Sequence, residues 1–183
     1  EYHCHTVVPT RAAIRALSKS LQEGDIVSAV TWEVSQSVVL DRYAVTGPND
    51  PTIEELATSL GASGGTDLEG GLSKGYALAK QNQSVDRINR IILISDGMAN
   101  VGITAEELIG ASAAQEDAGG IYLVGIGVGD GFNDTLMDTV TDAGRGAYVY
   151  LDTEQEAEKM LYDRFAETVM VAARDVKIEV TLP

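Results

Sequence analysis

The sequence predicts an α/β protein with a doubly wound, mostly parallel sheet that is flanked by helices. Segments with a helical period alternate with short apolar segments along the chain. Residues 91–94 and 121–127 are apolar without alternation, which is typical of strands buried on both faces of a sheet. Of the 183 residues 44% are hydrophobic and 5% aromatic, and 19 are glycine, which favours an α/β domain over a disulfide scaffold. These features together indicate a Rossmann-like architecture.

The first part of the chain is predicted to hold helices around a strand pair. Residues 1–10 have strand-like composition and reach Pro9, so we expect an irregular N-terminal strand or the remnant of a flanking segment. A helix is predicted over residues 11–21, with Ile14, Leu17 and Leu21 inward. The elements that follow are strands over 25–32 and 35–40, a helix over 52–60, and a glycine-rich loop over 62–72 that opens a helix to about residue 79.

The second part continues the alternation of strands and helices. Thr104 and Glu107 form a capping box, which predicts a helix start at that point. The predicted elements are strands over 90–95, 121–127 and 147–150, helices over 104–117, 134–142 and 154–173, and an alternating strand over 175–182. We therefore expect one domain over residues 11–174, followed at 175–183 by a strand that leads to or belongs to a flanking β domain.

Composition excludes several classes of function. The chain has 28 acidic and 13 basic residues, a formal charge of −15, which argues against nucleic acid or an anionic membrane as the main partner. No apolar run approaches the roughly 20 residues of a membrane span, and no signal peptide is recognisable.

Cys4 is the single cysteine, and with His3 and His5 it makes a poor metal site. Because the sequence begins without Met, we expect it to be a piece of a longer chain.

Two oxygen-bearing side chains are the candidate site residues. Asp96 directly follows the buried strand over 90–95, and Thr66 lies in the glycine-rich loop. In open α/β sheets, ligands collect beyond the carboxyl ends of the strands, which predicts that these residues meet there. Hydroxyl and carboxylate oxygens suit Mg²⁺, Mn²⁺ or Ca²⁺, and two ligands leave positions for water and for an acidic group of a partner. The alternative for Asp96 is a turn starter, since Asp-Gly favours turns.

Other motifs fit known sites less well. Residues 61–65 match the Gly-x-Ser-x-Gly of hydrolases, but a predicted helix precedes them where that motif needs a strand. Residues 125–129 start like a dinucleotide-binding loop without its third glycine, and residues 65–71 lack the lysine of a P-loop. Asp130 and Asp134 lack the spacing of a calcium-binding EF-hand loop, so an Asx-type helix cap is the simpler interpretation.

The order of these motifs resembles a von Willebrand factor type A domain from about Arg11 onward. The segments that carry the resemblance are the strand DIVSAVTW, the loop and helix SGGTDLEGGL, the strand and turn RIILISDGMANVG, and the stretch IYLVGIGVGDGFNDTLMDTVTDAGRGAYVYL. The nearest resemblance is to bacterial members related to inter-alpha-trypsin inhibitor heavy chains and calcium-activated chloride channel accessory proteins. In the family, the metal-ion-dependent adhesion site, or MIDAS, combines an Asp-x-Ser-x-Ser loop, a Thr in a Gly-Gly-Thr loop and an Asp ending the fourth strand.

The resemblance assigns Thr66 as a direct or near-direct metal ligand and Asp96 as a ligand through water. It implies protein binding and adhesion rather than catalysis, with Mg²⁺, Mn²⁺ or Ca²⁺ as cofactor and a partner's carboxylate completing the metal shell. It further implies flanking β domains in the same chain and an extracellular, periplasmic or cell-surface location.

The sequence departs from the family in one respect. No Asp-x-Ser-x-Ser loop and no hydrophobic first strand stand before Arg11. Three explanations are possible: the loop and the strand are omitted from this sequence, the chain lacks the strand, or the site is degenerate. We expect omission, because the parallel sheet would otherwise lose its central strand. Two hypotheses follow: a metal-dependent binding module, and a metal-free scaffold of the same fold in a larger protein. A hydrolase is a distant third.

Overall fold

The computed structural model describes residues 4–61, 65–84, 86–100, 102, 120–129, 133–151, 153 and 159. The helices are α1 (Cys4–Ser20), α2 (Pro51–Ser59), α3 (Leu68–Asn82) and α4 (Asp134–Ala143). The strands are β1 (Ile26–Trp32), β2 (Gln36–Ala44), β3 (Arg90–Ser95), β4 (Tyr122–Val128) and β5 (Tyr148–Leu151). The predicted α/β fold class is confirmed. None of the helices in these ranges is long and apolar enough to cross a bilayer.

The described strands form two sheets. Strands β3, β4 and β5 form a parallel sheet with β4 in the middle, and its register pairs Arg90 with Tyr122 and Ser95 with Gly127. Strands β1 and β2 form an antiparallel hairpin that turns at residues 33–35, as the sequence predicts. Because β3, β4 and β5 are parallel, their carboxyl ends share one edge of the sheet. Asp96 follows β3 at that edge.

Helices cover both faces of the parallel sheet, which is what a doubly wound arrangement requires. On one face α3 and α4 pack on the sheet in a cluster made of Leu68, Leu72, Tyr76, Leu93, Ile121, Leu123, Leu136, Met137 and Val140. On the other face α1 packs in a cluster made of Ala12, Ala13, Ala16, Leu17, Ile126, Val128, Val149 and Leu151. Side chains of β4 alternate between the two clusters, so this strand is buried on both faces.

The structure corrects the prediction for the N-terminus. The expected strand over residues 1–10 is wrong for residues 4–10, which belong to α1. Extension of an existing helix adds hydrogen bonds at a small further loss of conformational entropy. This gain outweighs a local strand-like composition. Pro9 lies inside this helix and is buried.

The inward face of α1 also differs from the prediction. Leu17 is buried as expected, but Ile14 and Leu21 are only half-buried, and the alanines named above occupy the contact with the sheet. Small side chains permit a close approach of helix and sheet. The prediction follows the spacing of the large apolar residues, and that spacing does not indicate such a contact. The predicted elements over 104–117, 154–173 and 175–182, and the domain boundary at 174/175, lie outside the described residues, apart from residue 159.

Candidate functional site

Asp96 stands at the carboxyl end of β3, where the sequence predicts it. The side chain is half-buried, and its Oδ1 accepts a hydrogen bond from the backbone N–H of Met98 at 3.0 Å. This Asx-type turn agrees with the alternative interpretation of Asp96 as a turn starter. A carboxylate offers about four acceptor positions on two oxygens, so one turn bond is compatible with a ligand role as well.

Gly97 fits the tight path of the chain after Asp96. Its φ angle is +70°, in the left-handed region, and a Cβ atom at this position would lie 2.8 Å from the backbone oxygen of Asn133. The backbone N–H of Asn133 in turn donates to the backbone oxygen of Asp96 at 2.9 Å. The end of β3 is therefore held against the start of α4, and a glycine is required for this contact.

The loop that carries Thr66 is hydrogen-bonded to the loop that follows Asp96. The backbone N–H of Thr66 donates to Oδ1 of Asn100 at 2.7 Å, and the backbone oxygen of Thr66 accepts from the N–H of Asn100 at 3.0 Å. Thr66 is half-buried. The two predicted ligands therefore belong to loops that pair directly, with Asn100 only four residues beyond Asp96.

Asp67 joins a third loop to the first two. It is the N-cap of α3, because its Oδ1 accepts from the N–H of Gly70 at 3.0 Å. Its Oδ2 accepts from Nε2 of Gln36 at 2.6 Å, and its own N–H donates to the backbone oxygen of Glu33 at 2.7 Å. The hairpin turn between β1 and β2 is thus fixed to the Thr66 loop. Sequence reasoning missed Asp67, although an Asp just before a predicted helix is an N-cap signal.

The donor chemistry at this edge suits a hard divalent cation, but the ligand number is small. Thr66 and Asp96 offer hydroxyl and carboxylate oxygens. Within the part of the chain that the structure describes, no three or more His, Cys, Asp or Glu side chains form a group able to hold a metal ion. A cation at Thr66 and Asp96 would therefore depend on water and on further ligands for the rest of its coordination shell.

Two side chains with shifted pKa values lie outside this site. Asp50 caps α2, and hydrogen bonds from Thr46, Thr52 and Tyr43 outweigh the effect of burial and hold its pKa below the ordinary value. Burial raises the pKa of the Tyr148 phenol, and the charge of Asp134 raises it further. Neither shift therefore concerns the candidate ligands.

The structure describes parts of the remaining motifs. Gly61 follows α2, so the Gly-x-Ser-x-Gly segment has the helical context that the sequence predicts, and residues 62–64 lie outside the described residues. Gly125 lies inside β4, paired with Leu93, where a Cβ would collide with Thr141 of α4; this glycine permits packing of helix on strand. The cap of α4 is Asn133, with Asp134 in the first turn, while Asp130 lies outside the described residues.

Comparison with known proteins gives one close sequence relative. The chain is 31% identical over 171 residues to the uncharacterized protein YfbK of Escherichia coli strain K12, an alignment that covers 93% of this chain. The chain spans 29% of the length of that relative. No family model matches the sequence.

Solved structures share the fold at low sequence identity. The von Willebrand factor type A protein from Catenulispora acidiphila superposes with a TM-score of 0.72 at 16% identity, covering 89% of this chain and 38% of that protein. Proximal thread matrix protein 1 from the mussel byssus, with a zinc-occupied MIDAS motif, gives 0.66 at 15% identity over 86% and 41% of the two chains. Manganese-loaded TRAP protein from Plasmodium vivax gives 0.62 at 18% identity over 88% and 66%.

These likenesses show the fold. The chain has the α/β fold of von Willebrand factor type A domains, as the sequence resemblance implies. Two of these structures hold a divalent metal, zinc in the mussel protein and manganese in TRAP.

Proposed function

We propose that this domain is a protein-binding module that holds a divalent cation with Thr66 and Asp96 and uses it to bind an acidic group of a partner protein. The observation that carries the proposal is the pairing of the Thr66 loop with the loop after Asp96 through Asn100. The pairing joins the loop of Thr66 to the loop that follows Asp96 at the carboxyl edge of the parallel sheet. Ligands collect at this edge in open α/β proteins.

The chemistry of the two residues supports a cation with open positions. A hydroxyl and a carboxylate are hard oxygen ligands, which favours Mg²⁺, Mn²⁺ or Ca²⁺ over softer metals. Two protein ligands leave most of a six-coordinate shell to water, to other ligands and to a partner's carboxylate. Structures of the same fold that hold zinc or manganese support a metal here as well.

The role is binding rather than catalysis in this proposal. Two local features support a binding role: Gly61 follows a helix where the hydrolase motif needs a strand, and Gly125 lies inside β4, where it permits packing against α4. Flanking β domains in the same chain, and an extracellular, periplasmic or surface location, complete the proposal and rest on the family resemblance. The formal charge of −15 favours a metal ion as the bridge, because two acidic surfaces otherwise repel each other.

Titration calorimetry with Mg²⁺ and Mn²⁺ tests the proposal on the intact protein. We expect saturable binding by the wild type and at least tenfold weaker binding by Asp96→Ala and Thr66→Ala, because each variant removes one of two protein ligands. Metal at a hundredfold excess over Kd should also stabilise the wild type by about 2.7 kcal/mol. Asp86→Ala is the matched control, since it removes one exposed charge in a turn away from this site.

The second hypothesis, a metal-free scaffold, predicts a different result. The absence of a three-ligand group within the described residues is the observation that favours it. It predicts no metal-linked heat for the wild type and equal thermal stability with and without metal. That outcome would replace the metal-dependent proposal with an architectural role.

A further inference from the structure

Asn100 makes two hydrogen bonds to a single residue, Thr66, which is 34 positions away in the chain. Its side-chain Oδ1 accepts from the N–H of Thr66, and its backbone N–H donates to the oxygen of Thr66. The two bonds hold the peptide groups on both sides of the Thr66 Cα atom. Because the side chain is attached to that Cα atom, the two bonds also restrict the position of the Thr66 hydroxyl.

The loop of Asn100 is itself tied to Asp96. The N–H of Met98 donates to Asp96 Oδ1, and the N–H of Ala99 donates to the backbone oxygen of Gly97 at 3.0 Å. Two successive short-range bonds therefore connect the end of β3 with Asn100. The separation of Asp96 from Thr66 depends on this short turn and on the pairing at its end.

The sequence around Thr66 supplies little restraint of its own. Two glycines, Gly64 and Gly65, precede Thr66, and glycine has the largest conformational freedom in the unfolded and folded chain. Hydrogen bonds from outside the loop must then fix its backbone. Asp67 fixes the residue that follows, through the α3 cap and Gln36, and Asn100 fixes Thr66 itself.

We propose that Asn100 is a positioning residue of the metal site, which sets Thr66 at the proper place relative to Asp96 without binding the cation. This inference rests on the function proposed above and adds a residue to it. An asparagine suits the role because its amide oxygen accepts a hydrogen bond without adding negative charge. Residues that orient metal ligands typically change metal affinity by about 10–100-fold when they are lost.

The test compares Asn100→Ala with Asn100→Asp and Met98→Ala in the intact protein. Alanine removes the acceptor, aspartate retains it, and Met98→Ala truncates an exposed side chain in the same loop while its backbone bond remains. Mn²⁺ affinity is measured by calorimetry, and hydrogen exchange of the Thr66 amide by NMR. The melting temperature of each metal-free variant verifies that it is folded.

We expect Asn100→Ala to bind Mn²⁺ at least tenfold more weakly and to exchange the Thr66 amide several-fold faster. Asn100→Asp should keep slow exchange and wild-type or tighter Mn²⁺ binding, and Met98→Ala should match the wild type in both. Equal Mn²⁺ affinity of wild type and Asn100→Ala, or unchanged exchange at Thr66, would overturn the inference and leave the proposed function standing. No Mn²⁺ binding by the wild type would overturn the proposed function, and the inference with it.

Discussion

At the scale of single residues, Asp50 shows how one acid joins a turn to a helix. It is 1% exposed, and its carboxylate accepts from the N–H of Thr46 at 2.8 Å, the N–H of Thr52 at 2.9 Å and the hydroxyl of Tyr43 at 3.0 Å. Burial alone would raise its pKa, but these bonds favour the ionised form, and its pKa is held well below the ordinary 3.8. The charged carboxylate therefore contributes to stability.

Asp50→Asn should lower the melting temperature by several degrees at pH 7, because the amide nitrogen cannot accept the bonds that the second oxygen accepts. A lowered pKa in the folded state means that this contribution is complete above about pH 4 and is lost as the pH falls toward the folded-state pKa. The difference between wild type and variant should therefore shrink below pH 4. Thermal melts from pH 7 to pH 2.5 measure it.

Glu55→Gln is the control for that experiment, because Glu55 is an exposed acid on the same helix. It should alter the melting temperature little at any pH. If the melting temperatures of wild type and Asp50→Asn differed by the same amount at every pH, the hydrogen bonds to Asp50 would not depend on its ionised carboxylate, which would contradict this prediction.

At the scale of elements, the turn after β3 depends on Gly97 and its contact with the start of α4. Gly97→Ala should reduce the free energy of unfolding by about 2 kcal/mol, because a left-handed φ disfavours alanine and its Cβ would press on the backbone oxygen of Asn133. Urea denaturation measures the change. Under the proposed function, Gly97→Ala should also weaken Mn²⁺ binding, since Asp96 adjoins this turn.

Gly24→Ala separates the effect of the left-handed backbone from the effect of the contact with Asn133. Gly24 also has a positive φ, +87°, but among the described residues no atom outside its chain neighbours lies within 4 Å of the position its Cβ would take. It should therefore show only the conformational part, about 1 kcal/mol. A loss for Gly97→Ala no larger than that for Gly24→Ala would refute the contact with α4.

Elements also show where sequence reasoning succeeds. The apolar run that ends in Ser95 and the strand pair that turns at residues 33–35 carry strong local signals, and both are present, although β2 continues to Ala44, beyond its predicted end at residue 40. The N-terminal segment carries a misleading signal, since strand-like residues there continue α1. Local propensity decides an element only where tertiary packing does not favour another conformation.

At the scale of the whole molecule, the formal charge of −15 acts against the compact state. Raising NaCl from about 10 mM to 150 mM shortens the screening length from about 30 Å to about 8 Å. We expect the melting temperature to rise by several degrees over this range, with EDTA present to exclude divalent metal. Thermal melts measure the change.

KCl is the control for the salt experiment and should act like NaCl, because screening does not depend on the identity of a monovalent cation. A fall in melting temperature with either salt would mean that favourable ion pairs, such as Arg15–Glu54 at 3.4 Å, outweigh the repulsion. A rise with only one of the two salts would indicate specific ion binding instead.

The sequence by itself determined the alternation of helices and strands and the burial of β4, because periodicity and unbroken apolar runs are local features. Thr66 and Asp96 stay predictions as ligands. Only the tertiary structure decided that small alanines face the sheet, that Asp67 binds Gln36, and that Asn100 pairs with Thr66. These contacts join residues that are 31 or more positions apart, or depend on how closely a helix approaches the sheet. Such distances are set when the elements pack together, and no local pattern encodes them.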